Sequence, residues 1–97
     1  MMVLITYDIA MNSEGAKRLR HVAKHCKDYG MRVQYSTFEC EVTPSQWEEL
    51  KNKLLSIYDP SLDSLRFYML GSNWKNRVEH YGAKKIPDIF RDPLIVI

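Results

Sequence analysis

Apolar residues along this chain recur first every second position, then every third and fourth, and the changes of period outline its elements. Residues 2–9 read as a strand. Val3, Ile5 and Tyr7 share one face, and Leu4, Thr6 and Asp8 share the other. The second face is apolar at Leu4 as well, so this strand is expected to be covered on both sides. Ala16, Leu19, Val22, Ala23, Cys26 and Tyr29 then follow at helical spacing. Asn12 or Ser13 is the expected N-cap, with Glu14 in the first turn, and Gly30 is the expected stop. Residues 31–43 alternate again, but the apolar parity changes between Tyr35 and Phe38. One straight strand cannot put both sets on one face, so a bulge or tight turn near Ser36-Thr37 is expected to split it.

A second helix starts at Thr43-Pro44-Ser45-Gln46, where a capping box and an N-terminal proline coincide. Trp47, Leu50, Leu54, Ile57 and Tyr58 form its apolar stripe, and Asp59-Pro60 ends it. Residues 64–70 make another strand, with Leu65, Phe67 and Met69 on one face. The order strand, helix, strand, strand, helix, strand predicts an α+β fold, the ferredoxin-like βαββαβ sandwich, over residues 1–70. Two helices cover one face of such a sheet. Residues 71–97 form a C-terminal extension outside that unit, carrying Trp74, Val78, Tyr81, Ile86 and a final PLIVI. Residues 76–82 can add a further strand. This tail or a second subunit is the candidate cover for the other face.

The length of 97 residues allows one domain. The apolar start is short, has no Lys or Arg before it and ends in Tyr-Asp. It is therefore read as neither a signal peptide nor a membrane span, and the cytoplasm is the expected compartment. Two cysteines without CxxC spacing are read as a reduced, buried pair. The net charge of +2 says little, but its distribution says more. Residues 16–32 carry six Lys or Arg against one acid, and residues 39–63 carry six acids against two lysines. A basic helix of this kind can track a phosphate backbone, or simply face water.

Glycine-rich phosphate loops, HExxH and GxSxG are absent from the sequence. His21 and His25 stand one helical turn apart, a zinc-compatible spacing with no evident third ligand. Asp8 is the sharpest feature. A carboxylate closing an apolar strand sits in water, bonds backbone N–H groups in a turn, or pairs with a cation. Magnesium takes one or two carboxylates together with waters and substrate phosphates, so a dimer could supply two copies of Asp8 to one ion. Arg18, Arg20 and Arg32 are candidates to hold phosphate oxygens beside it.

Together, TYDI at residues 6–9, KRLRHVAK at 17–24, GMRVQYSTFECEV at 30–42 and DSLRFYML at 63–70 resemble CRISPR-associated protein 2, the small partner in spacer acquisition. The tail LGSNWKNRVEHYGAKK, closed by DPLIVI, resembles the type I-C branch. The resemblance spans nearly the whole chain and implies a homodimer in which an extra C-terminal strand crosses to the partner's sheet. It also implies Asp8 as the catalytic and metal-binding residue, with Mg2+ or Mn2+. Tyr7, Arg18, Arg20, Arg32 and Phe38 match positions linked to nucleic-acid handling. Thr37 stands where valine is common in the family.

Two functions follow from the resemblance. One is a metal-dependent endonuclease acting on double-stranded DNA, with RNA as the other substrate. The alternative is a non-catalytic DNA scaffold that bridges copies of the CRISPR-associated integrase, with residues 83–97 as the docking piece. No residue stands out as a general base.

Overall fold

A computed structural model describes residues 1–71 and 78–83. The elements run β1 (Met2–Asp8), α1 (Gly15–Tyr29), β2 (Met31–Gln34), β3 (Thr37–Glu41), α2 (Pro44–Ile57), β4 (Ser64–Leu70) and β5 (Val78–Gly82). They form one antiparallel sheet in the order β2-β3-β1-β4-β5, the expected ferredoxin-like arrangement with one strand added at its edge.

Alternation decides which face is the core. Val3, Ile5 and Tyr7 of β1 meet Phe38 and Cys40 of β3 and Leu65, Phe67 and Met69 of β4. Val22 and Cys26 of α1 and Trp47, Leu50 and Leu54 of α2 close over them. Trp47 meets the Phe67 ring edge-on at 4.8 Å, a favoured aromatic geometry. Burying each such large apolar side chain contributes roughly 1.5–3 kcal/mol. On the opposite face Leu4 and Tyr68 are buried as well, in keeping with a strand apolar on both sides.

Helix starts and stops show where local chemistry is decisive. The capping box at α2 forms as its sequence predicts: Gln46 N–H donates to Thr43 Oγ1 at 3.2 Å, and Thr43 N–H to Gln46 Oε1 at 2.9 Å. At α1 the cap residue is Glu14, without a side-chain cap bond, rather than Asn12 or Ser13. Asn12 Oδ1 instead accepts the Glu14 N–H at 3.1 Å, an Asx turn that precedes the helix. Gly30 does end α1, but in extended geometry and not as a left-handed stop. A side chain there would overlap the Glu39 carbonyl and the Cys40 side chain, so close passage against β3 is what demands glycine.

The expected split of residues 31–43 is present. Tyr35-Ser36 forms the turn, and the β2–β3 register slips between Arg32 and Gln34, which leaves Val33 as the extra residue. The added strand is also present. β5 lies on β4 of its own chain, with Ser64 opposite Gly82 and Tyr68 opposite Val78. Lys51 of α2 reaches across to Glu79 at 2.6 Å and secures β5 from the helix side. Apart from Ala83, the candidate docking piece 83–97 lies outside the described residues, as do Trp74 and Ile86.

Candidate metal and nucleic-acid site

Successive residues of a strand point to opposite faces, so Tyr7 and Asp8 part company at the end of β1. Asp8 is exposed, opposite Ser64 on β4, on the face away from the helices. The neighbouring row of that face runs from Thr6 through Arg66 to His80. Tyr7 turns into the core and packs on Phe38 with ring centroids 6.3 Å apart. Its hydroxyl donates to the Tyr35 carbonyl at 3.4 Å, and the Tyr7 N–H donates to the Ser36 carbonyl at 3.1 Å. Burial holds the Tyr7 phenol above its ordinary value, against the lowering effect of Arg32.

Phe38 is fully buried, so Arg32 alone of these three neighbours is exposed. Its guanidinium lies 5.1 Å from the Phe38 ring centre, a cation–π arrangement that fixes the stem while leaving charge at the surface. Arg20 is also exposed, on α1 beside exposed Lys17, Lys24 and Lys27. Tyr7 and Phe38 therefore support Arg32 from below, and they present no surface of their own.

Arg18 behaves differently. It points to the buried carboxylate of Asp63, just before β4, with Nε donating to Oδ2 at 2.8 Å and Nη2 to Oδ1 at 3.3 Å. Asp63 is 0% exposed and also accepts the Ala10 N–H at 2.9 Å and the Asp59 N–H at 2.8 Å. Burial pushes its carboxyl up, but the Arg18 and backbone hydrogen bonds outweigh that and hold it below the ordinary value. Sequence reasoning misses Asp63 because an aspartate between a turn and a strand is an ordinary turn residue. Its one available signal is the spacing of Asp59 and Asp63 around Pro60.

The remaining candidates are quiet. Cys26 and Cys40 are buried and free. Burial pushes the Cys40 thiol up to about 11 and Cys26 further still, so neither is a thiolate at neutral pH. His25 is half-buried, and burial lowers its pKa, helped by Lys53 and Lys24. Among the described residues no group of three His, Cys, Asp or Glu side chains could hold a metal ion. Asp8 is thus a single exposed carboxylate, and a divalent cation held by one carboxylate takes its other ligands from waters and phosphate oxygens.

The family model described as CRISPR associated protein Cas2 matches residues 1–78. This chain belongs to the Cas2 family. Among its relatives, a Chlorobaculum tepidum protein named CRISPR-associated endoribonuclease Cas2 is 58% identical over 92% of this chain and 94% of its own. A Halalkalibacterium halodurans protein named CRISPR-associated endonuclease Cas2 is 55% identical over 98% of this chain and 99% of its own. Among solved structures, Streptococcus pyogenes Cas2 at pH 6.5 superposes with a TM-score of 0.69 at 57% identity, covering 84% of this chain and 100% of that one. Cas2 membership accounts for the ferredoxin-like sheet. Among the described residues no helix is long and apolar enough to cross a membrane.

Proposed function

We propose that this Cas2-family protein is a metal-dependent endonuclease that works as a homodimer, with Asp8 from both copies serving one Mg2+ or Mn2+ site. The observation that carries this reading is an exposed carboxylate at the end of a strand whose other residues are buried or half-buried. A bound divalent cation would polarise a phosphate and lower the pKa of a coordinated water. The chain's own residues do the rest. Asp8 supplies a hard oxygen ligand on a strand fixed by pairing on both sides. Arg32, seated on Phe38, and Arg20 on α1 offer guanidinium groups to backbone phosphates.

Double-stranded DNA is the substrate that the type I-C resemblance favours, and RNA is the one favoured by the names of several relatives. In this reading the protein acts in the cytoplasm beside the CRISPR-associated integrase. The second reading, a DNA scaffold without chemistry, is favoured by the exposed basic residues of α1, since phosphate contacts alone suffice for it.

The test compares wild type with Asp8→Asn after size-exclusion chromatography has established the state of each. Both are incubated with duplex DNA and with single-stranded RNA, with Mg2+ and with chelator. The endonuclease reading expects chelator-sensitive cutting of one substrate that Asp8→Asn abolishes while the dimer remains. Equal cutting by both proteins sinks it, and binding without cutting selects the scaffold.

A further inference from the structure

We propose that Arg18 and Asp63 are positioning residues for Asp8, and that their buried ion pair sets the direction in which the β1 end presents its carboxylate. The inference rests on the endonuclease reading and deepens it. Asp8 is the last residue of β1, and the chain beyond it has no sheet to hold it. Asp63 takes over that task two residues later, where its Oδ1 accepts the Ala10 N–H. Arg18 completes the clamp from the helix: Nη2 donates to the Ala10 carbonyl and to Asn12 Oδ1, each at 3.4 Å. Both backbone groups of Ala10 are thereby tied to one ion pair.

The other side of Asp8 is tied to the same residue. Its cross-strand partner is Ser64, the neighbour of Asp63 in the chain. The Asp63 carbonyl accepts the Ala83 N–H at 3.2 Å, which ties down the end of β5 next to Gly82, itself opposite Ser64. Asp63 thus joins the β1–α1 turn, the α2–β4 turn and the end of β5 around one exposed carboxylate. Changing an outer group that orients a metal ligand typically costs about 10- to 100-fold in metal affinity. Arg18, grouped by resemblance with nucleic-acid residues, acts in this way through Asp8 and not on phosphate.

The test uses Mn2+ alone as probe, read by paramagnetic broadening of backbone amides around Asp8, alongside thermal unfolding of each protein. Asp63→Asn keeps the shape but puts an amide where Arg18 and two backbone N–H groups need an acceptor. At temperatures well below unfolding, it is expected to need roughly 10- to 100-fold more Mn2+ for half-broadening. Arg18→Lys keeps the charge but replaces the two donor nitrogens of the guanidinium fork with a single ammonium, so its shift is expected in the same direction but smaller, and it serves if Asp63→Asn does not fold. Arg18→Gln should shift more than Arg18→Lys. Unchanged Mn2+ affinity in a folded variant with a lowered melting temperature overturns the inference and leaves a purely structural clamp. If Asp8→Asn binds Mn2+ like wild type, the metal reading itself falls, and the positioning role falls with it.

Discussion

Arg18 and Arg32 stand in the same basic stretch, yet the fold uses them in opposite ways. Arg18 turns inward and spends its donors on Asp63, Ala10 and Asn12. Arg32 lies over Phe38 at the exposed edge strand β2 and keeps its charge at the surface. The difference comes from what lies opposite. A buried carboxylate must be matched by a cation and by N–H donors, whereas an aromatic face asks for no particular partner and leaves the guanidinium able to meet an anion. Charge in the sequence is therefore a supply of candidates, and burial of the opposite charge decides which of them reach a ligand.

The largest expected effect is at the inward-facing region. Asp63→Ala leaves a guanidinium and two backbone N–H groups without their acceptor, and its urea midpoint should fall further than that of any other single substitution at the two arginine sites. Phe38→Ala, which removes the support of Arg32, should lose about 3–5 kcal/mol in urea unfolding. A smaller loss for Asp63→Ala than for Phe38→Ala would break the comparison.

Gly82→Ala comes next. Gly82 has φ +120°, and an added side chain would overlap the Asp63 carbonyl. A strained position of this kind should cost about 1–3 kcal/mol, and hydrogen exchange should quicken in β5 before it does in β1.

Acid titration sharpens the same contrast. Asp63 is held below its ordinary value of 3.8, so the unfolded chain takes up its proton first as pH falls. Its contribution is complete above that value and is lost as pH drops through the lower folded value. The stability gap between wild type and Asp63→Asn should be constant near neutrality and should shrink below about pH 4. A gap that widens in acid would contradict the ion pair.

The smallest effect separates the two arginines most cleanly. Arg32→Gln should flatten the dependence of log binding on log salt for nucleic acid by about one unit, uniformly across sequences. Arg18→Gln should leave that slope unchanged, and equal slopes for both variants would erase the distinction.

Much of the fold is legible in the sequence because period and caps carry it. The Thr43 capping box, the split at Tyr35-Ser36 and the two faces of β1 all rest on local rules that tertiary contacts then reinforce. The start of α1 and the geometry of Gly30 depart from expectation for a common reason. The first is set by the Asx turn at Asn12, two residues before the Glu14 cap, and the second by β3 further along the chain, neither of which spacing alone encodes. The site is half legible. Asp8 stands out because a carboxylate closing an apolar strand conflicts with its surroundings. Asp63 does not stand out, because its burial comes from α1 and the β1 turn, more than forty residues away in sequence.

One chain offers Asp8 without a metal-sized cluster of ligands among the described residues, and in the proposed endonuclease a second copy completes the site. The direct measurement mixes wild-type and differently tagged Asp8→Asn subunits, purifies the mixed dimer and compares its metal-dependent cutting with both parents. One substituted copy is expected to abolish cutting almost as fully as two. Cutting at half the wild-type rate would show that each Asp8 works alone, and would contradict it.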